Sequence, residues 1–516
     1  MNVKNETACI LRAHAERAAS ANAVGKNLFQ TIYIKEELQL RHFGSFIGGK
    51  HRINDSSTTV EVRNPYSNEL LATLYCATVQ DIEDAIDNAH TVFETTMRHL
   101  SAHERSKILR KAASLLEERA ESFAETLSRE AGKPILEARA EVARAVQVLL
   151  FASEGARNLN GEQIVMDSAV GGEKQLGFTK RVPLGVIAAI TPFNFPLNLC
   201  LHKIAPAIAV GNTVVLKPAE KTPLSAIGLF HLLKEAGLPD GALNILNGPG
   251  VGIVAPLVTH PLVKKVTFTG SGKVGWYIKE IARGKHVTLE LGSNAPNIIF
   301  EDAHLQNAAS AITLGGYTFA GQACVSAQRI YVHDAVYDEF VSLLTEKVEQ
   351  LTLGNPSEES TQLGPMITEE AAIRAESWIR EAVSQGATIR TGGNRQGALL
   401  EPTILEHVTP NMNVVCLEVF APIVAILRFT DEEEVIAATN DSKYGLQAGI
   451  FTNDINRAFK VADRLEMGGV WINEVSVRRY DHMPYGGVKE SGIGKEGIRY
   501  AIESMSDVKF IGVKIL

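Results

Sequence analysis

The chain has 516 residues, 45% hydrophobic and 21% charged, with a formal net charge of −8. That length exceeds one ordinary core, so two or three structural units are expected. The negative charge is spread along the chain and no apolar run reaches the length of a membrane span, so nucleic-acid and membrane partners are excluded and a soluble, cytoplasmic protein is expected.

Residues 1–45 mix Lys4, Arg12, Arg17 and Lys26 with alanine and serine, but Glu6 and Glu16 argue against a transit peptide. They read as an N-terminal extension. Thr78 is placed to cap a helix carrying Ile82, Ala85, Ile86, Ala89 and Phe93 on one face. Ser101 and Glu104 form a capping box ahead of Ile108, Leu109, Ala112, Leu115 and Leu116, and Gly132 with Pro134 ends that helical region. The polar-flanked stretch 158–182 reads as a hairpin leaving the body of the protein.

From residue 185 short apolar runs alternate with helical stretches. Val186–Ile190, Thr213–Leu216, Leu243–Leu246 and Val266–Phe268 read as buried strands, with a helix from Ser225 to Ala236 among the connections. Such units build a parallel sheet covered on both faces, with ligands beyond the carboxyl ends of its strands. A second α/β region at 291–480 carries Asn297–Phe300, Arg329–Val332, Ile423–Phe429 and Val470–Ile472.

Five cysteines (Cys9, Cys76, Cys200, Cys324 and Cys416) are odd in number and widely spaced, so reduced thiols are expected. With no C-x-x-C and no H-E-x-x-H, no metal site is expected. Gly270-Ser271-Gly272-Lys273-Val274-Gly275 matches G-x-G-x-x-G after a strand, and Glu290 lies where a ribose-binding acid would stand. The motif follows three earlier strand–helix units, however, whereas the fingerprint sits in the first, and tight strand-to-helix turns need glycine anyway. Asn194, in Thr191-Pro-Phe-Asn-Phe-Pro196, can donate to a developing oxyanion or merely satisfy its turn. Glu290, beside Gly292, is either a general base or a salt-bridged carboxylate. Cys324, after Gly321-Gln-Ala, is a nucleophile if exposed and ionisable, and otherwise a small core residue.

Seven ordered segments decide among these readings. Pro192-Phe-Asn194-Phe-Pro196, Lys217-Pro-Ala-Glu220, Phe268-Thr-Gly-Ser271, Glu290-Leu-Gly292, Gly321-Gln-Ala-Cys324, Glu418-Val-Phe420 and Pro484-Tyr-Gly-Gly487-Val-Lys489 together resemble the aldehyde dehydrogenase superfamily. The resemblance runs from Phe46 almost to the C-terminus. It implies a Rossmann-type parallel-sheet cofactor domain (46–157 and 183–290), an α/β catalytic domain (291–490), and oligomerisation elements at 158–182 and 491–516 that give a homodimer or homotetramer. Val508, Phe510, Ile511, Val513 and Ile515 suit a strand in the last of these.

By that resemblance Cys324 is the nucleophile, Glu290 the base, and Asn194 with the Cys324 amide the oxyanion hole. Lys217 and Glu220 hold the adenine ribose, Gly250 and Ser271 lie along the cofactor, Glu418 holds the nicotinamide ribose and Phe420 lies against the nicotinamide. The implied reaction is NAD(P)-dependent oxidation of an aldehyde to its acid through a thiohemiacetal and a thioester. Glu290 favours water over coenzyme A as acyl acceptor, and the retained Cys324 and Glu290 argue against a silent structural relative. Glu220 favours NAD over NADP by repelling a 2′-phosphate. The segment Asp481-His-Met-Pro-Tyr-Gly-Gly resembles the lactaldehyde dehydrogenase-like branch, which takes short, often hydroxylated aldehydes. Ala323 stands where phosphate-anchored relatives carry arginine, which argues against a phosphorylated substrate. Arg478 and Arg479 either bind a carboxylate or sulfonate tail or are solvated loop residues. Ser293-Asn294 and Ala421 depart from the common Gly-Lys and Gly at their positions.

Overall fold

The computed structural model describes residues 42–54 and 58–515. The N-terminal extension up to residue 41 therefore lies outside the described residues, and so does Cys9. The sequence expectation of an extension ending at 45 needs moving: His42–Phe43 already pairs with Leu70–Tyr75, and Ser45–Ile47 joins the first large sheet.

That sheet has eight strands. Its parallel centre runs in the spatial order His286–Glu290, Val263–Thr269, Val186–Ile190, Thr213–Lys217, Leu243–Ile245. Every residue of Val186–Ile190 and Thr213–Lys217 is buried. Alternation sorts their side chains. Ile187, Ala189, Val214 and Leu216 pack under the helices Ala102–Glu118, Ile135–Arg157 and Asn198–Val210. Val186, Ala188, Ile190 and Val215 face Ile82, Ile86, Val254 and Ile278 on the other side. Two covered faces explain why these strands read as continuous apolar runs.

The cap at Thr78 and the capping box at Ser101 with Glu104 form as the sequence indicates, and Asp81 completes a second box at Thr78. Gly132 closes the helix Ala120–Ala131 in the left-handed region (φ 70°). The helical region does not end there, however: Ile135–Arg157 follows at once.

The second sheet has seven strands, in the order Thr388–Thr391, Thr403–Glu406, Ile423–Phe429, Arg329–His333, Pro296–Ile299, Gln447–Phe451, Gly469–Ile472, parallel except at its first edge. A third, antiparallel sheet joins Gln163–Ile164, Gln175–Pro183 and Ser506–Lys514. It exposes Leu176, Phe178, Val508, Phe510 and Val513. The segment 491–505 does not belong to that hairpin. Gly492–Ile493 pairs with His286–Glu290, and the helix Ile498–Ser504 packs on Ile135–Arg157 and Asn198–Val210. Among the described residues no helix is long and apolar enough to cross a membrane.

Register positions the site. Ile190 pairs with Lys217 and with Phe268, and Thr269 pairs with Glu290. Parallel strands end on one edge, so Thr191–Asn194, Lys217–Glu220, Gly270–Ser271 and Glu290–Gly292 emerge side by side.

Candidate active site

One cavity of about 930 Å³ opens at that edge, between the two large sheets. All nine residues singled out in the sequence line it: Asn194, Lys217, Glu220, Gly250, Ser271, Glu290, Cys324, Glu418 and Phe420.

Cys324 sits after a strained turn. Phe319 (φ 48°) and Ala320 (φ 53°) hold left-handed conformations that side chains disfavour, and Gly321 follows at φ 67°. A Cβ on Gly321 would lie 2.1 Å from the Ala421 carbonyl oxygen, so only glycine fits there. The turn is held by Glu137, whose two carboxylate oxygens accept the Phe319 amide at 2.9 and 3.2 Å. Burial pushes the Glu137 carboxyl up to about 7, against the pull of Lys133 and of that amide. The Cys324 thiol is partly open to the cavity, and its sulfur lies 2.8 Å from the Tyr485 hydroxyl. Burial pushes the thiol up to about 12, while the Tyr485 hydrogen bond and the Arg479 charge pull it down and Glu418 and Glu290 push it further up. Exposure therefore meets the requirement for a nucleophile, while the net shift of the thiol runs against it.

Asn194 is fixed by three contacts. Its side-chain nitrogen donates to the Gln322 carbonyl at 2.8 Å, two residues before Cys324. Its side-chain oxygen accepts the Phe195 amide, and its backbone carbonyl accepts from Lys133 Nζ at 2.8 Å. An amide nitrogen carries two hydrogens, so one remains beyond the Gln322 contact, on a residue that lines the cavity together with Cys324.

Glu290 is buried, and neither of its carboxylate oxygens has a hydrogen-bond partner among the described residues. Burial and the neighbouring Glu496 hold its carboxyl well above the usual range, against Arg479, Lys203 and Lys495. Glu496 behaves oppositely. Burial opposes its ionisation too, but Lys203 at 2.7 Å and Arg479 at 3.0 Å outweigh it and keep it a carboxylate.

At the other end of the cavity Lys217 lies 3.0 Å from Glu220. Burial disfavours the Glu220 carboxylate, but Lys217 and Lys221 overcome it and hold the group below its ordinary range. Gly250 precedes a kink at Val251 and Gly252 (φ 92°), after which the chain is helical to Thr259, and Ser271 stands at the N-cap position of the helix Gly272–Ile281. The N-terminus of Gly272–Ile281 thus faces the cavity beside the Gly250–Gly252 turn, a setting that favours an anion. A Cβ on Gly272 would meet only open space, leaving the backbone approachable. Glu418 accepts the Ser293 amide at 3.1 Å, and burial pushes its carboxyl up to about 7 against that bond and Arg374. Phe420 (φ 52°) stands edge-on to Phe193. These residues fit an extended nucleotide with two ribose hydroxyl pairs and a pyrophosphate.

The two arginines separate. Arg479 lines the cavity over the Tyr485 ring at 3.8 Å, whereas Arg478 pairs with Glu474 at 2.7 Å and lies outside it. Asp481 does not face the cavity. It accepts from Arg144, His202 and Asn198, and so pins its loop to two helices. Ser293 and Asn294 have structural work in place of a Gly-Lys pair: the Ser293 amide holds Glu418, and the Asn294 side chain bridges the Val415 carbonyl and Ser442. Sequence reasoning missed Lys133, Glu137, Arg144, Lys203, Tyr485 and Glu496. Lys203 offered a signal, as a charge beside His202 within the mostly apolar Leu199–Val210 run. Tyr485 stood inside a quoted segment.

The family described as "Aldehyde dehydrogenase family" matches residues 52–511. The chain is 47% identical over 473 residues to a 3-sulfolactaldehyde dehydrogenase of Priestia aryabhattai, covering 92% of this chain and 98% of the relative. It is 42% identical over 470 residues to a lactaldehyde dehydrogenase of Methanococcus maripaludis, covering 90% and 99%. Among solved structures it is similar to a glyceraldehyde-3-phosphate dehydrogenase of Methanocaldococcus jannaschii complexed with NADP, at 40% identity and a TM-score of 0.86, covering 89% and 100%.

The Glu137 clamp is testable. In Glu137→Ala the buried Phe319 amide loses its acceptor, at a cost of about 1–3 kcal/mol, and the strained turn loses its restraint. The rate of NAD(P)H formation should fall about tenfold or more with the cofactor KM unchanged, and Glu137→Gln, which keeps one acceptor oxygen, should recover most of it. An alanine variant as fast as the parent would refute the clamp.

Proposed function

The chain belongs to the aldehyde dehydrogenase family, and from that premise we propose that Cys324, Asn194 and Glu290 carry its chemistry on a short hydroxylated aldehyde. The protein is an NAD(P)-dependent oxidoreductase acting on aldehydes. The observation that carries the assignment is one cavity shared by a cavity-facing sulfur, a fixed amide donor and an unpartnered carboxyl.

The sulfur of Cys324 adds to the aldehyde carbon, and the charge moves to the carbonyl oxygen. The free Asn194 N–H and the Cys324 amide receive it from fixed positions, so little reorganisation is needed. The oxidised nicotinamide, when bound, supplies the two-electron acceptor. Lys217 and Glu220 would hold one ribose, Ser271 and Gly250 the pyrophosphate, and Glu418 the second ribose, with Phe420 against the ring. Oxidation leaves a thioester on Cys324. Glu290 then takes a proton from water, whose oxygen attacks the acyl carbon, and the acid departs as the sulfur is regained. An unpartnered carboxyl suits this step, since no hydrogen-bond donor among the described residues competes with water for it.

Cys324→Ser should abolish turnover. Glu290 works as a base only when ionised, and its range is raised, so the hydrolytic step should speed up as pH rises through that range and fade as pH falls below it. In Glu290→Gln kcat should drop and that limb of the pH profile should flatten. An unchanged profile in the glutamine variant would eliminate Glu290 as the base, and NAD(P)H formation that requires coenzyme A would point to acyl transfer instead.

Cofactor choice rests on Glu220, a carboxylate where a 2′-phosphate would have to lie. NAD is proposed as the better cofactor. Glu220→Ser should raise kcat/KM for NADP about tenfold or more, the scale of one removed close charge repulsion. Preference for NADP in the unmutated enzyme would overturn this reading.

For the substrate we propose a 2-hydroxy aldehyde with an anionic far end, on the strength of Arg144 and Arg479 in the cavity wall and of a sulfonated substrate in one relative's name. Kinetics with sulfolactaldehyde, succinic semialdehyde and lactaldehyde test it: the anionic pair should show the higher kcat/KM, and a preference for the neutral aldehyde would count against it. The exposed apolar residues of the third sheet support a homodimer or homotetramer joined there.

A further inference from the structure

The Tyr485 hydroxyl has no role in the chemistry above, yet it touches the reacting atom. Its ring is buried, and its hydrogen-bond partner among the described residues is the Cys324 sulfur, at 2.8 Å. A phenol kept in a buried position needs a partner for its O–H, and here that partner is the sulfur. The residue is also held in place. Tyr485 and Glu496 exchange two backbone hydrogen bonds, at 3.0 and 2.6 Å, and Glu496 in turn holds Arg479, whose guanidinium covers the Tyr485 ring at 3.8 Å.

We propose that Tyr485 is a catalytic residue that donates its phenolic hydrogen to the Cys324 thiolate and so keeps a reactive fraction of that sulfur ionised before the aldehyde arrives. This rests on the reading of Cys324 as the nucleophile. The proton balance is simple. The thiol proton leaves to water in the cleft, and Tyr485 retains its own proton throughout. Burial holds the phenol well above its ordinary range, so it stays a donor. When the sulfur bonds to carbon, its charge passes to the carbonyl oxygen beside Asn194 and the phenol's bond weakens.

The charged and titratable groups around the sulfur are Arg479, Glu418 and Glu290, and Tyr485 is the one that bonds to it directly. Arg479 favours the thiolate through space, and the two carboxyls oppose it only while ionised. A hydrogen bond to an ionised acceptor is about twice as strong as one between neutral groups, so the contact favours the thiolate over the thiol. A shift of about one pH unit would raise the thiolate fraction about tenfold and lower the reactivity of each thiolate about threefold, a net gain of roughly threefold.

Tyr485→Phe removes the oxygen and keeps the ring under Arg479. The thiolate of Cys324 is titrated by ultraviolet absorbance, as the difference between each enzyme and its Cys324→Ser counterpart. Alkylation of Cys324 by iodoacetamide at neutral pH is followed by mass spectrometry of its peptide, which separates it from Cys76 and Cys416. The titration midpoint should rise by about one unit and alkylation should slow by about threefold, with NADH affinity unchanged. A midpoint that does not move would overturn the proposal, as would a loss of NADH affinity without a shift, which marks a packing defect. If the midpoint moves as expected but Cys324→Ser still turns over aldehyde, the nucleophile assignment fails and the catalytic role of Tyr485 fails with it, while the hydrogen bond itself stands.

Discussion

The buried ammonium of Lys133 is the interaction on which the site depends. It pairs with Glu141, donates to the Asn194 carbonyl at 2.8 Å, and lies between the rings of Phe195 and Phe319 at 4.0 and 4.6 Å. The Asn194 loop leaves the first sheet and the Phe319 turn belongs to the region of the second, so one cation joins the two halves of the cavity wall. Glu141 extends the connection by accepting the Leu197 and Asn198 amides, and Glu137, one helical turn away, accepts the Phe319 amide. All three charges are placed by the turn Gly132–Pro134 and the helix that follows it. Removing one member of such a buried set leaves the others uncompensated, which costs far more than the set contributes when complete.

Electrostatics divides the carboxyls of the cavity into two kinds. Glu290 is buried and Glu418 half-buried, each with little to satisfy it, and both are held toward the neutral form. Glu496 is as deeply buried as Glu290 but faces Lys203 and Arg479, and stays charged. Environments that push like groups apart in this way mark acid–base assignments. The charge on Glu496 is also one cause of the raised range of Glu290, so the cations that fix Glu496 tune the proposed base at second hand.

Much of this was legible in the chain. Val186–Ile190 read correctly because both of its faces are covered, which leaves an unbroken apolar run between turn residues. All nine site residues converge because each stands at the carboxyl end of a strand or in a short segment with a distinct local pattern. The helix Ile135–Arg157 was not read, since its buried face mixes four alanines, Glu141 and Ser153 with its larger aliphatic side chains, which weakens the apolar contrast. Gly132 and Pro134 read as a stop because they are one; the sequence does not say that a new helix begins on the far side. Lys133 gave little local signal, because apart from Glu141, eight residues on, its partners Asn194, Phe195 and Phe319 lie in segments distant in the chain. Arg478 and Arg479 could not be told apart for the same reason: Glu474 claims one within a single turn, while Glu496 draws the other inward.

The segment after the strand His286–Glu290 shows how tightly the two ends of the site are joined. Glu290 presents its carboxyl to the sulfur's end of the cavity. Two residues on, a Cβ on Gly292 would lie 2.2 Å from the Glu418 carboxylate, and the Ser293 amide donates to that same group. The Leu291 amide and the Gly292 carbonyl are both bound to Ser491, which precedes the edge strand Gly492–Ile493 paired with Leu289 and Glu290. A strand end closed from both sides cannot shift one of these carboxylates without the other. The placement of Glu290, the proposed base, relative to Glu418, proposed to hold the nicotinamide ribose, is therefore constrained by this backbone. The substitution of Ser293-Asn294 for Gly-Lys is tolerated on the same grounds, because what this segment supplies to Glu418 is an amide hydrogen, and every residue except proline has one.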